Sequence, residues 1–287
     1  MLLRKLWRSF RRSIPISLYP ALAIPYRWEA KRVVRRLARA DDAYFTAHPG
    51  AVAPGATLRF KVVGACDIPG FLAAGRKSVA QISAALSAAG VALDRGASML
   101  DWGCGCGRTV LAWREAQPDL AVTGADVDGA AIAWCQAHIP GSQFAATGAQ
   151  PPLPFADSRF DLICAISVFT HLDEARQDRW LTELRRVLRP GGVLLATVHG
   201  PKSWEGLPRA TVRRIRQEGI VFARTAADKG RHPDWYQTTW HTEAYVRRHW
   251  SRDFEIAGYI SEGMSFDLPP SAPIVHDVVV LRRPIHG

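Results

Sequence analysis

The stretch MLDWGCGCGR, residues 99–108, decides the fold: three glycines and two cysteines fill positions 103–107, between a strand-like run and a helix-like one. Ser98–Trp102 reads as a short strand that runs straight into the glycines. Arg108–Ala116 reads as a helix that stops before Pro118. A strand, a glycine turn and a helix in that order present backbone N–H groups to a nucleotide. Three details narrow the nucleotide. Gly103, Gly105 and Gly107 are spaced GxGxG, whereas a dinucleotide fingerprint wants its third small residue at 108, where Arg108 stands. Asp101, at the end of the strand, would repel a diphosphate and attract an ammonium or sulfonium. Asp126 ends the next strand-like run, Ala121–Asp126, where a carboxylate can accept both ribose hydroxyls. The ligand these residues describe is a nucleoside that carries positive charge and no phosphates.

Outward from this turn, strands and helices alternate. Val79, Ile82 and Leu86 have helical spacing, with Gly90 closing that helix. Gly129–His138 is a helix, 142–146 a weaker strand and 160–167 a strong buried strand. Asp173 caps a helix whose apolar face is Trp180, Leu181, Leu184 and Leu188, with Pro190-Gly191-Gly192 expected to terminate it. A buried strand follows at 193–198. Residues 200–250 break the rhythm with aromatic and basic residues, and strands at 254–260 and 275–281 close the chain. Alternation of this kind predicts a mostly parallel sheet wound on both faces. The last two strands lack a crossover helix, so the final one is expected to be antiparallel.

At these residues the chain resembles the class I S-adenosylmethionine-dependent methyltransferases. LDWGCGCGR (100–108) is similar to that family's first motif and TGADVD (123–128) to its acidic-strand motif. PPLPFADSRFDLICAISVFTHL (151–172) resembles the third and fourth motifs, LRRVLRPGGVLLATVHG (184–200) the helix and strand that follow, and HDVVVLRR (276–283) the terminal strand. The resemblance implies a doubly wound α/β fold: a Rossmann-like, seven-stranded methyltransferase sheet with an antiparallel last strand. It also implies S-adenosylmethionine as cofactor. Asp101, Gly103, Cys104, Gly105 and Gly107 would surround its methionine part. Asp126 would hold the ribose, and Val127 beside it and Ser167 after the fourth strand would be further cofactor-binding residues. Many relatives carry an acid ahead of the LPF segment to bind the adenine amino group. Here Gly148, Ala149 and Gln150 occupy that place, leaving backbone groups or Gln150 as adenine contacts. Asp161 begins its strand, on the side away from the site, and reads as structural.

Methyl transfer from a sulfonium needs alignment with the acceptor, exclusion of water and, for a hydroxyl acceptor, a base. His171 follows the fourth strand and is the first candidate for that base, with His199 and His241 next. His276 and Asp277, at the start of the antiparallel strand, face the same edge. Trp235, Tyr236, Trp240 and His241 lie in the irregular segment, which reads as a lid-like insertion at about 200–250 of a methyltransferase domain spanning 58–287.

The chain has 37 Lys and Arg against 26 Asp and Glu, a formal charge of +11. Residues 1–40 hold eleven of these bases against Glu29 alone, so the body is nearly neutral. That distribution argues against a nucleic-acid-binding fold. Leu2, Leu3, Leu6, Trp7, Phe10 and Ile14 share one helical face, with five bases on the other and Pro15 ending the pattern. The 1–57 segment therefore reads as a basic amphipathic arm plus a lead-in helix over about 28–40. Residues 1–14 are expected to touch an anionic membrane surface peripherally. Five cysteines with no CxxC pair predict reduced thiols, a cytoplasmic setting and no metal site, and the arm adds the inner membrane surface as the expected place. The expected activity is methylation of a small molecule or glycan, on oxygen. The alternatives are a protein or nucleic-acid methyltransferase, an inactive scaffold that binds S-adenosylmethionine, or an NAD-dependent dehydrogenase, which Asp101 and Arg108 disfavour.

Overall fold

The computed structural model describes residues 19–223, 233, 235–267 and 273–285, with side chains described from Trp28 onward except that of residue 29. The amphipathic pattern expected over residues 1–14 lies outside the described residues. Three helices come first: α1 (Tyr19–Ala47), α2 (Ala56–Val63) and α3 (Ile68–Ala88). Then β1 (Ser98–Trp102), α4 (Arg108–Ala116), β2 (Ala121–Asp126), α5 (Gly129–His138), β3 (Gln143–Ala146), β4 (Phe160–Ala165), α6 (Glu174–Val187) and β5 (Leu188–Val198) alternate as expected. The later part runs α7 (Arg209–Glu218), β6 (Ile220–Ala223), β7 (Thr238–His241), α8 (Glu243–Trp250), β8 (Glu255–Phe266) and β9 (Ile274–Arg282).

Seven strands form one sheet in the order β3-β2-β1-β4-β5-β9-β8. The pairs β1–β2, β2–β3, β1–β4 and β4–β5 are parallel, while β9 runs antiparallel to both β5 and β8. The seven-stranded sheet with its antiparallel last strand is thus borne out. Strand order reverses between β1 and β4, and that reversal opens a crevice at the carboxyl ends of the strands.

Period-two alternation puts the two faces of β1 into different cores. Leu100 and Trp102 pack with Trp180, Leu181 and Leu184 of α6, whereas Met99 packs with Val110 and Trp113 of α4. α6 starts where the Asp173 carboxylate accepts the Arg176 N–H at 2.8 Å, a cap that contributes about 1 kcal/mol. α6 ends at Val187, two residues earlier than the proline suggested. Pro190, Gly191 and Gly192 fall inside β5, because the Gly191 N–H donates to the Arg283 carbonyl and the Gly192 carbonyl accepts the Arg283 N–H, so the chain pairs with the strand end instead of breaking away. β8 is longer than expected and carries two irregularities of register against β9.

The lead-in region is anchored to the body. Arg59 of α2 is fully buried, reaching Asp41 of α1 at 2.6 Å and the Pro54 carbonyl at 2.6 Å. Leu58, expected to begin the alternating body, sits within α2. Among the described residues no helix is long and apolar enough to cross a membrane.

Candidate active site

The carboxyl ends of β1, β2, β4 and β5 open into a cleft of about 1700 Å³. Its floor is the glycine turn. Gly103, Gly105 and Gly107 have φ of 84°, 54° and 78°, a left-handed backbone that favours glycine. A Cβ on Gly103 would lie 2.4 Å from Val168, and one on Gly105 would lie 2.9 Å from Val62, so these two positions keep the backbone open to the cleft. The Gly103 and Cys104 N–H groups both donate to the Ala125 carbonyl, at 2.7 and 3.1 Å, which locks the turn onto β2. Cys104 and Gly105 line the cleft. Gly107 does not: it packs on Ile139 and Cys135 and leads into α4, so its role is to let the turn close.

Asp126 holds the turn from the other side. One carboxylate oxygen accepts the Gly105 N–H at 2.7 Å and the other accepts the Asp128 N–H at 2.8 Å. A carboxylate offers about two lone pairs per oxygen, so each oxygen keeps one for a ligand, the count a vicinal diol requires. Burial raises its pKa, with the Asp128 and Gly105 N–H groups opposing. Val127 beside it is 49% exposed, on the cleft wall. Asp101 is only 2% exposed, and its carboxylate accepts the Thr109 hydroxyl of α4. Burial pushes this carboxyl up to about 6, with Thr109 and Arg108 pulling it back. Asp161 lies away from the cleft, accepting the Ser98 N–H at 2.8 Å and Arg189 at 2.7 Å, a structural clasp as expected.

Gln150 does not reach the cleft. Its side-chain oxygen accepts from Arg179 at 3.1 Å, and the wall there is formed by Thr147, Gly148 and Ala149. Ser167 is on the wall, with φ of 60° and its N–H bound to the Thr197 hydroxyl at 2.8 Å.

The other half of the cleft gathers three histidines. His171 and His199 have ring centroids 6.1 Å apart, and His199 and His276 are 4.6 Å apart. His171 Nδ1 lies 2.8 Å from the Gln237 carbonyl, and His199 Nδ1 lies 3.0 Å from the Thr239 carbonyl. A carbonyl only accepts, so in the neutral rings both Nδ1 atoms carry the hydrogen and Nε2 is the basic nitrogen of each. The His171 ring stacks on Tyr236 at 4.3 Å. Burial holds His276 well below the usual histidine range, with His199 and His171 adding to the effect, so it is neutral; it sits 3.2 Å from the Thr197 hydroxyl. Among the described residues no three His, Cys, Asp or Glu side chains group as metal ligands would.

His241, the remaining candidate base, is not brought to the cleft. It is fully buried against Gln177, Tyr245 and Trp250, and burial pulls its pKa down to about 3. The reason is a long-range pairing: His241 ends β7, whose backbone joins the sheet through His199, so its ring turns into the core rather than out over the strand ends.

Two contributions carry no motif in the sequence. α2 closes over the glycine turn, with Val62 beside Gly105 and Lys61 bound to Asp128 at 2.7 Å across 67 residues of chain. Trp102 and Trp180, with centroids 4.6 Å apart, are both core residues and cleft wall.

Residues 100–196 match a family model described as a methyltransferase domain. The chain thus carries a methyltransferase domain over residues 100–196, of the kind found in S-adenosylmethionine-dependent methyltransferases. The fatty-acid O-methyltransferase of Mycolicibacterium smegmatis is 34% identical over 134 residues, 44% of this chain and 48% of that protein. Phthiotriol/phenolphthiotriol dimycocerosates methyltransferase 1 of Mycobacterium ulcerans is 32% identical over 135 residues, again 44% of this chain and 48% of that one. The chain spans about half the length of these curated relatives. The crystal structure of PH0226 protein from Pyrococcus horikoshii OT3 shares the fold, with a TM-score of 0.51 and 16% identity over 78% of this chain and 97% of that one. S-adenosylmethionine is the cofactor of this family's site, and the residues present fit it. The glycine backbone leaves a cradle that a Cβ would fill, Asp126 keeps two lone pairs for a diol, and Asp101 offers negative charge to an ammonium.

Proposed function

We propose that this methyltransferase acts on an oxygen of a small, largely apolar acceptor, with His171 as the base. The carrying observation is the orientation of His171. Its Nδ1–H is spent on the Gln237 carbonyl and its ring lies flat on Tyr236, so Nε2 is the nitrogen able to take a proton in the half of the cleft that the glycine turn does not occupy. Bound S-adenosylmethionine supplies an activated methyl group. The chain's own contribution is to hold the acceptor hydroxyl in line, to exclude water with Trp235 and Tyr236, and to accept the hydroxyl proton at His171; a carboxylate acceptor would be held in the same place with no proton to remove. His199 stands beside it as a second polar contact for the acceptor.

Two considerations support an apolar acceptor over a polymer. Trp102, Trp180, Val168 and Phe266 line the cleft, and the body outside residues 1–40 is nearly neutral. The two relatives named above act, by their names, on a fatty acid and on phthiotriol dimycocerosates. A glycan, a polar acceptor, is the competing outcome of the test below. The protein is further proposed to work at the cytoplasmic face of a membrane. Besides residues 1–14, α1 offers exposed Lys31, Arg32, Arg35, Arg36 and Arg39 with Trp28 73% exposed.

The test is a labelled methyl donor offered with fatty acids, polar lipids, sugars and peptides. Label in a fatty acid or lipid supports the reading, and label in a sugar or peptide overturns it. Donor binding with no labelled product in any class would make the chain a binding scaffold. Sedimentation with phosphatidylglycerol vesicles checks the surface: the full chain pellets, and equal pelleting after deletion of residues 1–14 would confine any contact to α1.

A further inference from the structure

The three histidines of the cleft differ in which nitrogen they offer to it. His171 and His199 give their Nδ1 hydrogens to the Gln237 and Thr239 carbonyls, which leaves Nε2 as the acceptor nitrogen of each neutral ring. His276, on β9, is wired the other way. Its Nδ1 lies 3.2 Å from the Oγ1 of Thr197 on β5, and that oxygen already accepts the Ser167 N–H at 2.8 Å. Thr197 is fully buried, so its hydroxyl hydrogen needs an acceptor inside the protein; among the described residues the one bonded to it is His276 Nδ1. Donation from Thr197 fixes the hydrogen of the neutral His276 ring on Nε2. The ring lines the cleft, is 2% exposed, and lies 4.9 Å from the Phe266 ring by centroid. Among the described residues no acceptor bonds its Nε2. An N–H withdrawn from water without an acceptor is costly unless a ligand supplies one. The histidine end of the cleft therefore sets acceptor nitrogens, from the ends of β4 and β5, beside a donor N–H from β9.

We propose that His276 selects the acceptor, donating its Nε2–H to an oxygen that stands beside the one methylated. The acceptor class this fits is a hydroxyl flanked by a carbonyl, as in a 3-hydroxy ester. The hydroxyl hydrogen points to His171 Nε2, and the carbonyl oxygen takes the His276 N–H. An isolated alcohol would satisfy His171 and leave the buried N–H unmet, and a site built to hydrogen-bond one group discriminates against a ligand that lacks it. The proposal rests on the reading of His171 as the nitrogen that meets the acceptor hydroxyl.

Nitrogen-15 spectra of the histidine rings, assigned through His276→Asn, read the tautomer directly. The hydrogen of His276 is expected on Nε2, and a ring that carries it on Nδ1 overturns the proposal. Calorimetry reads the consequence: the S-adenosylhomocysteine-saturated chain is titrated with methyl 3-hydroxydecanoate and with decan-3-ol, which keeps the hydroxyl and lacks the carbonyl. Wild type is expected to hold the hydroxy ester on the order of 10-fold more tightly. His276→Asn has an amide that can still take the Thr197 hydroxyl but is too short to replace Nε2, so it should erase that ratio by weakening the ester alone. His276→Gln, whose amide N–H reaches nearer the place of Nε2, should retain part of it. His171→Ala should weaken both ligands alike. Equal binding of the two ligands by wild type, or a ratio that survives in His276→Asn, overturns the role of His276 and leaves the reading of His171 standing. Binding of neither ligand by wild type overturns the reading of a small apolar hydroxyl acceptor and this proposal with it.

Discussion

The two halves of the cleft are built by different means. The donor half is backbone: three glycines with positive φ, two N–H groups on the Ala125 carbonyl, and two aspartates at the ends of adjacent strands. The other half, proposed for the acceptor, is side chain: His171 after β4, His199 after β5, His276 on β9 and Tyr236 from the segment before β7. A backbone cradle is set by local φ and by strand register, so it is stiff and tolerant of chemistry elsewhere. A side-chain cluster depends on four distant elements arriving together, and its chemistry can change with one residue. A fold that keeps one donor and meets many acceptors has reason to divide the work this way.

Loss of the proposed base should give the largest effect and separate the halves. His171→Ala is expected to lower kcat by about 10²- to 10⁴-fold while leaving the dissociation constant of S-adenosylhomocysteine unchanged. Equal losses in turnover and donor binding would mean that the halves are one unit. Next in size is Asp126→Ala, expected to weaken S-adenosylhomocysteine on the order of 10- to 100-fold. Since Asp126 also pins Gly105 and Asp128, Asp126→Asn is the companion variant. It keeps one acceptor oxygen, enough for the Gly105 N–H, and loses the other, so binding spared in Asp126→Asn but lost in Asp126→Ala would mean that the pinned Gly105, not the second carboxylate oxygen, carries the donor contact.

The same division explains what could be read in the sequence. The glycine turn, Asp101, Asp126 and the strand alternation are local patterns, and the sheet has the expected strands. The acceptor half was legible only in part. His171 and His199 follow strand ends and were in reach of the pattern. His241 was misjudged, because its direction is decided by how β7 docks on His199, which no local spacing encodes. Lys61 and Val62 over the glycine turn, and Tyr236 under His171, arise from contacts across 40 residues or more of chain. Proline and glycines at 190–192 suggested a helix stop, yet pairing with Arg283 drew them into β5.

A third measurement probes the electrostatics of the donor half. Asp101 titrates at about 6 in the unliganded protein because burial disfavours its charge, with Thr109 and Arg108 opposing and Asp126 adding to the rise. An ammonium favours the ionised form, so binding lowers this pKa. Donor affinity is therefore full above about pH 7 and falls as pH drops through 6, by at most about tenfold per pH unit. The folding linkage has the opposite sign. The folded pKa lies above the unfolded one, so the charge of Asp101 disfavours the fold at neutral pH and acidification relieves it. Calorimetry with S-adenosylhomocysteine from pH 5 to 8 should show the fall, and 5′-methylthioadenosine, which has no ammonium, should not. A slope that persists in Asp101→Asn would assign the titration to another group.

The smallest expected effect tests the border of the donor half. Gln150 follows Gly148 and Ala149 on the wall segment, where an adenine contact would be sought, but its side chain turns outward to Arg179 at 3.1 Å. An exposed pair of this kind contributes about 0–1 kcal/mol to stability and nothing to a ligand it does not face. Gln150→Ala should therefore leave S-adenosylhomocysteine affinity within about twofold. Ala149→Pro differs in kind: it removes a backbone N–H from the cleft wall, so it should weaken binding if that wall holds the adenine through its main chain. A marked loss in Gln150→Ala with none in Ala149→Pro would reverse the picture, making adenine recognition a side-chain task on the donor side as acceptor recognition is on the other.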